Sequence, residues 1–247
     1  MSKAYAVIAG VGPGTGASIA RKFAQTYPVV LLARNVANLD PIVNEIKANG
    51  GQATGISTDL NSSQSVRAAF DQIKKQYEGS GSALAAAVFN PSGGFIRKPF
   101  LELTEQEFTG SFENQGYVCS SSSYVTLSQT NNSRKAAFSF SQSSLPLLLD
   151  GRGKTPYPPT LIFTGATASV KGSAFFSAFA AGKFALRALA QSLAREFGPQ
   201  GVHVSHVVVD GVIDVPRTKA FTFEHEDAKM EPLAVSSLSH SFYSGIS

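Results

Sequence analysis

An apolar run, Ala4-Tyr5-Ala6-Val7-Ile8-Ala9, passes without a spacer into Gly10-Val11-Gly12-Pro13-Gly14-Thr15-Gly16. An alanine-rich stretch follows in which Ala17, Ala20, Phe23 and Ala24 fall on one helical face. This order dictates a strand, a tight turn and a helix. Glycines in such a turn let the backbone approach a phosphate closely, and the free N–H groups of the helix start favour an anion. A glycine cluster alone also serves as a plain turn. The rest of the chain decides between the two.

The same alternation repeats downstream. Val29–Ala33 is a continuous apolar run, as expected of a parallel strand covered on both faces. Asp40-Pro41 reads as a helix cap and first-turn proline, with Ile42, Val43 and Ile46 turned inward and Gly50-Gly51 as the stop. Gln52–Thr58 is a short third strand. A helix capped near Ser62 or Ser63 carries Val66, Ala69, Phe70 and Ile73 at helical spacing. Ala83–Phe89 is a fourth strand, and Thr104-Glu105-Gln106-Glu107 is a capping box. Thr160–Thr164, Ser173–Phe197 and Val202–Val209 read as strand, long helix and strand. Strands alternating with helices give right-handed crossovers and a doubly wound parallel sheet, an α/β fold of Rossmann type, in one domain spanning 1–247. Ligands of such sheets bind at the carboxyl ends of the strands. Gly10, Arg34, Asp59, Asn90, Gly165 and Asp210 all follow strands directly.

Composition narrows the function. A chain of 247 residues, 43% hydrophobic, suits one domain with a sizeable core. Its net charge of +4 is spread along the chain, which argues against nucleic acid as a partner. No apolar run reaches membrane-span length and no secretory leader is expected. The single cysteine, Cys119, excludes an internal disulfide framework, and the expected location is cytoplasmic. His203, His206, His225 and His240 lack metal-ligand spacing; His203 and His206 lie in or beside an apolar strand and read as packing residues, so no metal is expected.

In this order and spacing the motifs resemble the short-chain dehydrogenases/reductases, from about Lys3 to Asp214. Gly10, Gly14 and Gly16 match the family's cofactor turn, with Thr15 inside it. The resemblance makes Asp59 the contact to the adenine and Asn90-Pro91-Ser92-Gly93 the turn after the fourth strand. It makes Lys183 the lysine that holds the nicotinamide ribose, and Ile213 the position whose backbone meets the nicotinamide amide. The implied activity is an oxidoreductase acting on a carbonyl or hydroxyl of a small organic molecule, with a biosynthetic pathway as one setting. Where an NAD enzyme of this kind places a carboxylate after the second strand, this chain has Ala33-Arg34-Asn35. A guanidinium there can pair with a 2′-phosphate, which favours NADP(H). Arg34 as a solvated loop cation is the plain alternative.

The catalytic positions depart from the family. Its tyrosine stands four residues before the lysine and its serine about thirteen before that tyrosine. Here those positions are Phe179 and Ala166, neither able to donate a hydrogen bond. The tyrosine of the enoyl-reductase variant, seven residues before the lysine, is Phe176. Phe179 and Lys183 should still share a helix face. Three accounts stand: Thr164, Thr167, Ser169 or a water substitutes; the substrate needs no acid from the protein; or the chain binds nucleotide without turnover, as a sensor or partner subunit.

Two stretches interrupt the pattern. Residues 116–134 are serine- and asparagine-rich with no helical period, and joining Gln115 to Lys135 restores an amphipathic helix. That junction resembles the family's Asn-x-x-Gly-Ala-Phe segment and makes Asn114 its active-site asparagine, the support of a water relay. We read 116–134 as an insertion, either a translated unspliced intron or a tolerated surface loop. From Leu233 the chain is too short and serine-rich for the family's last helix and edge strand. The expectation is a missing seventh strand, which leaves a homo-oligomer built on that edge doubtful. A substrate lid would then come from 215–230, where Phe221 and Phe223 are either pocket walls or packing.

Overall fold

The computed structural model describes residues 4–91, 95–115, 136–213 and 229–230. Six parallel strands form the central sheet: β1 (Ala4–Ala9), β2 (Val29–Ala33), β3 (Ala53–Ser57), β4 (Ala83–Phe89), β5 (Thr160–Thr164) and β6 (His203–Val207). Their order is β3-β2-β1-β4-β5-β6, the doubly wound arrangement, with the direction of winding reversing between β1 and β4. Helices α1 (Thr15–Ala24), α2 (Asp40–Ala48), α3 (Ser63–Tyr77), α4 (Glu105–Gln115), α5 (Ala136–Asp150) and α6 (Ser177–Phe197) connect them. A small pair, β7 (Val212–Ile213) and β8 (Lys229–Met230), lies outside the main sheet.

Alternation along each strand divides the core. Ala4, Ala6 and Ile8 pack under α1 and α2 with Ala17, Ile19 and Phe23. Tyr5, Val7 and Ala9 face the opposite layer of α3, α5 and α6, where Phe70, Phe140 and Leu186 are buried. Every residue of β1, β2 and β4 is buried, the reason these strands read as unbroken apolar runs. Full burial of each such large side chain contributes roughly 1.5–3 kcal/mol. A bidentate ion pair, Arg21 to Glu45 at 2.8 Å, ties α1 to α2 at the surface.

Most local expectations hold. Ser62 caps α3 by accepting a hydrogen bond from the Ser65 N–H. Thr104 and Glu107 form the reciprocal capping box, each side chain accepting from the other's N–H. Several boundaries differ, β3 among them, which runs Ala53–Ser57 within the expected Gln52–Thr58. Asp40 is not the cap of α2: a 3-10 turn at Val36–Asn38 runs straight into the helix, Leu39 holds the cap position, and Asp40 falls in the first turn. There its carboxylate still complements the positive helix end. The long helix starts at Ser177, not Ser173, because Phe175 adopts φ 68 and breaks the helical path. The regular part of β6 is His203–Val207, shorter than its apolar run. The expected insertion at 116–134 falls outside the described residues, as do the tail from Leu233 and the lid positions Phe221 and Phe223.

Candidate functional site

Because all six strands are parallel, their carboxyl ends meet at one edge of the sheet. Gly10 leaves β1 with φ 79, and a side chain there would meet Pro91 N at 2.6 Å. Gly16, in the first turn of α1, has the Gly10 carbonyl 2.5 Å from where a Cβ would stand. The Asn90 side chain, 8% exposed, donates from Nδ2 to that same carbonyl at 3.1 Å. Strand β1, the helix start and the end of β4 are thus locked together through positions that admit no side chain. Gly14 occupies the cap of α1, no side chain caps it, and no acid stands in the first turn. Thr15 is buried at the helix start. The result is a helix N-terminus with the donors and the clearance that a phosphate group requires. Gly12 differs: nothing lies within 4 Å of its missing Cβ.

Further along the edge, Arg34 follows β2 with an exposed side chain, while its carbonyl accepts from Ser57 Oγ at 3.0 Å. Asp59 follows β3, exposed, its Oδ1 accepting from the Asn61 N–H. Lys183 on α6 is 3% exposed and donates to the Thr164 carbonyl at the end of β5, 3.0 Å away. Its ammonium stands 5.8 Å from the centre of the Phe179 ring, so the two share a face as the four-residue spacing requires. Ile213 is half-buried in β7. Asn114 lies in α4, but its side chain lies outside the described residues.

The three candidate hydroxyls separate by what they already bind. Thr167 donates to Asp210 Oδ1 at 2.6 Å. Ser169 is fully buried and accepts from the Ala166 N–H, which holds the turn after β5. Thr164 Oγ1 is buried and has no partner among the described residues. His206, expected to be a packing residue, fills the space beside Gly165, where a Cβ would fall 2.3 Å from its Cε1. Its Nε2 also lacks a partner among the described residues. Burial, with the positive charges of Lys183 and Arg187, holds its pKa down at about 4, so it is neutral at pH 7. Among the described residues no His, Cys, Asp and Glu group is arranged to hold a metal ion. No described helix is long and apolar enough to cross a membrane.

One feature of the site carries no sequence signal. Phe95, in the loop after β4, packs edge-on to Phe179 at 5.3 Å and against Phe176 at 5.5 Å. Contacts across eighty residues of chain leave no local period to read. The left-handed Phe175 beside them is equally silent, since a bulky residue there goes against its backbone preference.

Burial lowers the Lys183 pKa from 10.5 to about 8. Between those values the unfolded chain binds more protons than the folded one, so this group makes stability rise with pH across about 8 to 10.5. The full effect is about 3 kcal/mol. Urea unfolding of wild type and Lys183→Met at pH 7.5 and pH 10 isolates it, because the tyrosines titrate alike in both. Wild type is expected to gain roughly 2–3 kcal/mol on the variant at the higher pH. A difference that stays constant with pH would place the ammonium in water instead.

A sequence profile described as short chain dehydrogenase matches residues 4–225. A short-chain dehydrogenase/reductase of Armillaria gallica is 27% identical over 203 residues, 81% of this chain and 67% of that protein. The crystal structure of a short-chain dehydrogenase from Rhodopseudomonas palustris superposes with TM-score 0.72 at 30% identity, over 98% of this chain and 92% of the other. A short chain dehydrogenase from Shigella flexneri 2a, solved in complex with NADP, has the same fold, with TM-score 0.77 at 23% identity over 98% and 92% of the two chains.

Proposed function

The chain belongs to the short-chain dehydrogenase family, and on that premise we propose that it is an NADP(H)-dependent oxidoreductase acting on a carbonyl or hydroxyl of a small organic molecule. The observation that carries the reading is the cradle in which Asn90 holds the Gly10 carbonyl against Gly16 beneath an uncapped helix start. A dinucleotide fits it: Gly10, Gly14, Thr15 and Gly16 receive the pyrophosphate, Asp59 the adenine and Arg34 the 2′-phosphate. Lys183 takes the nicotinamide ribose, and the backbone of Ile213 the carboxamide. When bound, the reduced dinucleotide supplies hydride. The chain's own contribution is to hold the substrate carbonyl near Lys183, exclude water with the phenyl rings around Phe179, and support proton supply through Asn114.

Arg34 provides the first test. Binding of NADPH and NADH is measured by fluorescence titration of wild type and Arg34→Asp. Charge-assisted hydrogen bonds are worth about 1.5–3 kcal/mol, so NADPH affinity is expected to fall roughly 10–150-fold while NADH affinity holds or improves. An equal change for both dinucleotides would make Arg34 a solvated cation and end the NADP(H) preference.

Phe179 and Ala166 favour a second reading, a nucleotide-binding protein without turnover. It keeps every cofactor contact and drops the chemistry. The two separate on whether bound NADPH is oxidised by any carbonyl compound.

A further inference from the structure

Two loops leave the carboxyl edge side by side, one after β5 and one after β6, and a hydroxyl–carboxylate pair joins them: Thr167 donates from Oγ1 to Asp210 Oδ1 at 2.6 Å. We infer that this pair is the proton acceptor for a secondary alcohol, whose hydroxyl donates to Thr167 Oγ1 while Asp210 draws the proton on through it. Thr167 is then a catalytic residue, and Asp210 a positioning residue that acts by way of it. The inference rests on the oxidoreductase reading and adds the groups that handle the proton.

The direction of that hydrogen bond decides what the hydroxyl can do. A hydroxyl has one hydrogen and two lone pairs. At 2.6 Å from a carboxylate oxygen, inside the range of about 2.5–2.7 Å for charge-assisted O–H···O bonds, the hydrogen is spent on Asp210. The Val209 carbonyl, at 3.5 Å, is the weaker alternative. What Thr167 has left is an acceptor. It can receive a hydrogen bond from an alcohol but has none to give to a ketone. The carboxylate also polarises the threonine O–H, which makes its oxygen the better acceptor.

The pair is both held and reachable. The Thr167 N–H donates to the Val209 carbonyl at 3.0 Å and the Gly165 N–H to the Val207 carbonyl at 2.7 Å, so the two loops are stitched on either side of Ala166. Ser169 closes the turn: its Oγ accepts from the Ala166 N–H at 3.1 Å, and its own N–H donates to the Ala166 carbonyl at 2.7 Å. A hydroxyl on such a turn has its place fixed before a substrate arrives. Thr167 is half-buried, Asp210 is exposed, and Asp210 forms no ion pair among the described residues. Solvent thus reaches the carboxylate directly and can carry its proton away. Asp210 leads through Gly211 into β7, whose Ile213 is the proposed contact of the carboxamide, and Thr167 follows Ala166 directly. The chain thereby brings the pair to the nicotinamide end of the proposed cofactor.

The step balances. The carbinol carbon loses its hydrogen with two electrons, as hydride, to the oxidised nicotinamide, and the pair of the breaking O–H bond closes the C=O bond. The substrate's proton moves to Thr167 Oγ1 as the threonine's own proton moves to Asp210 Oδ1. Thr167 ends neutral, as it began, and Asp210 releases one proton to water. Ketone reduction runs the same relay backward and needs Asp210 to take a proton from water first, so at neutral pH that direction stays short of acid.

The probes are 4-phenyl-2-butanol and its ketone, 4-phenyl-2-butanone. Binding is read by equilibrium dialysis on non-reacting complexes of the full chain, the alcohol with NADPH and the ketone with NADP+. The alcohol is expected to bind about tenfold tighter than the ketone, the weight of one hydrogen bond. Asp210→Ala frees the threonine's hydrogen and is expected to erase that preference. Turnover is read as NADPH formed from the alcohol. Asp210→Ala is expected to lower kcat about 100-fold, the low end for a lost general base, and added formate to restore part of it. Thr167→Ser, which keeps the hydroxyl, is expected to turn over as wild type does, and Thr167→Val to fall with Asp210→Ala. Wild-type kcat in Asp210→Ala, or a loss that formate leaves untouched, would overturn the inference and make the pair a plain tie between loops. Intact NADPH binding with neither binding nor oxidation of the alcohol would overturn it too, leaving the nucleotide site standing. Loss of NADPH binding in folded wild-type protein would overturn the parent reading and this one with it.

Discussion

Gly16→Val is expected to abolish micromolar NADPH binding and to lower Tm, while Gly12→Ala leaves Tm at the wild-type value. The two glycines lie in the same turn and look alike in sequence, but their surroundings are opposite. At Gly16 a Cβ would fall 2.5 Å from the Gly10 carbonyl oxygen and 2.8 Å from Val11 Cα, both backbone atoms that cannot swing aside. Overpacking of this kind costs about 1–3 kcal/mol, and the branched valine takes the upper end, which in a chain of this size is a fall of roughly 6–12 °C. Relief requires α1 to move off β1, which pulls the N–H groups of the helix start away from the anion. About 3 kcal/mol of lost registration corresponds to a roughly 150-fold loss of affinity. At Gly12 a methyl group meets nothing within 4 Å. Differential scanning calorimetry and fluorescence titration on both variants read the two effects separately. If Gly12→Ala weakens NADPH without moving Tm, the pyrophosphate lies against that open backbone. If Gly16→Val melts and binds as wild type does, the close approach of helix and strand is not what shapes the site.

That contrast also marks what the sequence could and could not disclose. Strand and helix order were legible because the central strands are buried on both faces and the helices on one, so hydrophobic pattern and layer coincide. Gly10, Gly16 and Asn90 were legible as a set because the parallel topology brings every post-strand turn to one edge. Which glycine is sterically obligatory was not legible: the answer lies in distances between β1, α1 and β4. The start of α6 was misread for a related reason. Ser173 to Phe176 has acceptable helix composition, but the Lys98 N–H captures the Phe175 carbonyl and holds the residue in a left-handed turn. Tertiary contact overrode local preference there. Phe95 went unnoticed because an aromatic in a loop has no periodicity to betray it. Among the hydroxyls, sequence left Thr164, Thr167 and Ser169 equivalent. Hydrogen bonding separates them, committing Thr167 to Asp210 and Ser169 to the turn after β5.

Neutral His206 illustrates how a residue read as packing also tunes the site. Its ring fills the gap left by Gly165, and it contributes no positive charge beside Lys183 at pH 7. A permanently charged replacement there would press the lysine further from protonation, by the same repulsion that holds the histidine neutral.

The second large effect concerns proton supply at the proposed site. The double variant Phe179→Tyr with Ala166→Ser is expected to reduce 4-phenyl-2-butanone at least 100-fold faster than wild type, since a positioned general acid contributes about 10²–10⁴-fold. Phe179 already lies over Lys183, with 5.8 Å from ring centre to ammonium, so a hydroxyl added to that ring enters the field of a buried positive charge. A nearby cation favours the phenolate and lowers the phenol pKa, which makes the proton easier to release. The half-buried Ala166 begins the turn after β5 in extended backbone, and a serine there needs no change of conformation. In the reduction direction the new activity should fall as pH rises through the tyrosine pKa, a limb absent from the wild-type profile. The measurement is kcat/KM for that ketone across pH 6–10, with NADPH affinity as a control. A rise would make proton supply the step this chain lacks. No rise, with NADPH still bound, would give the non-catalytic reading precedence.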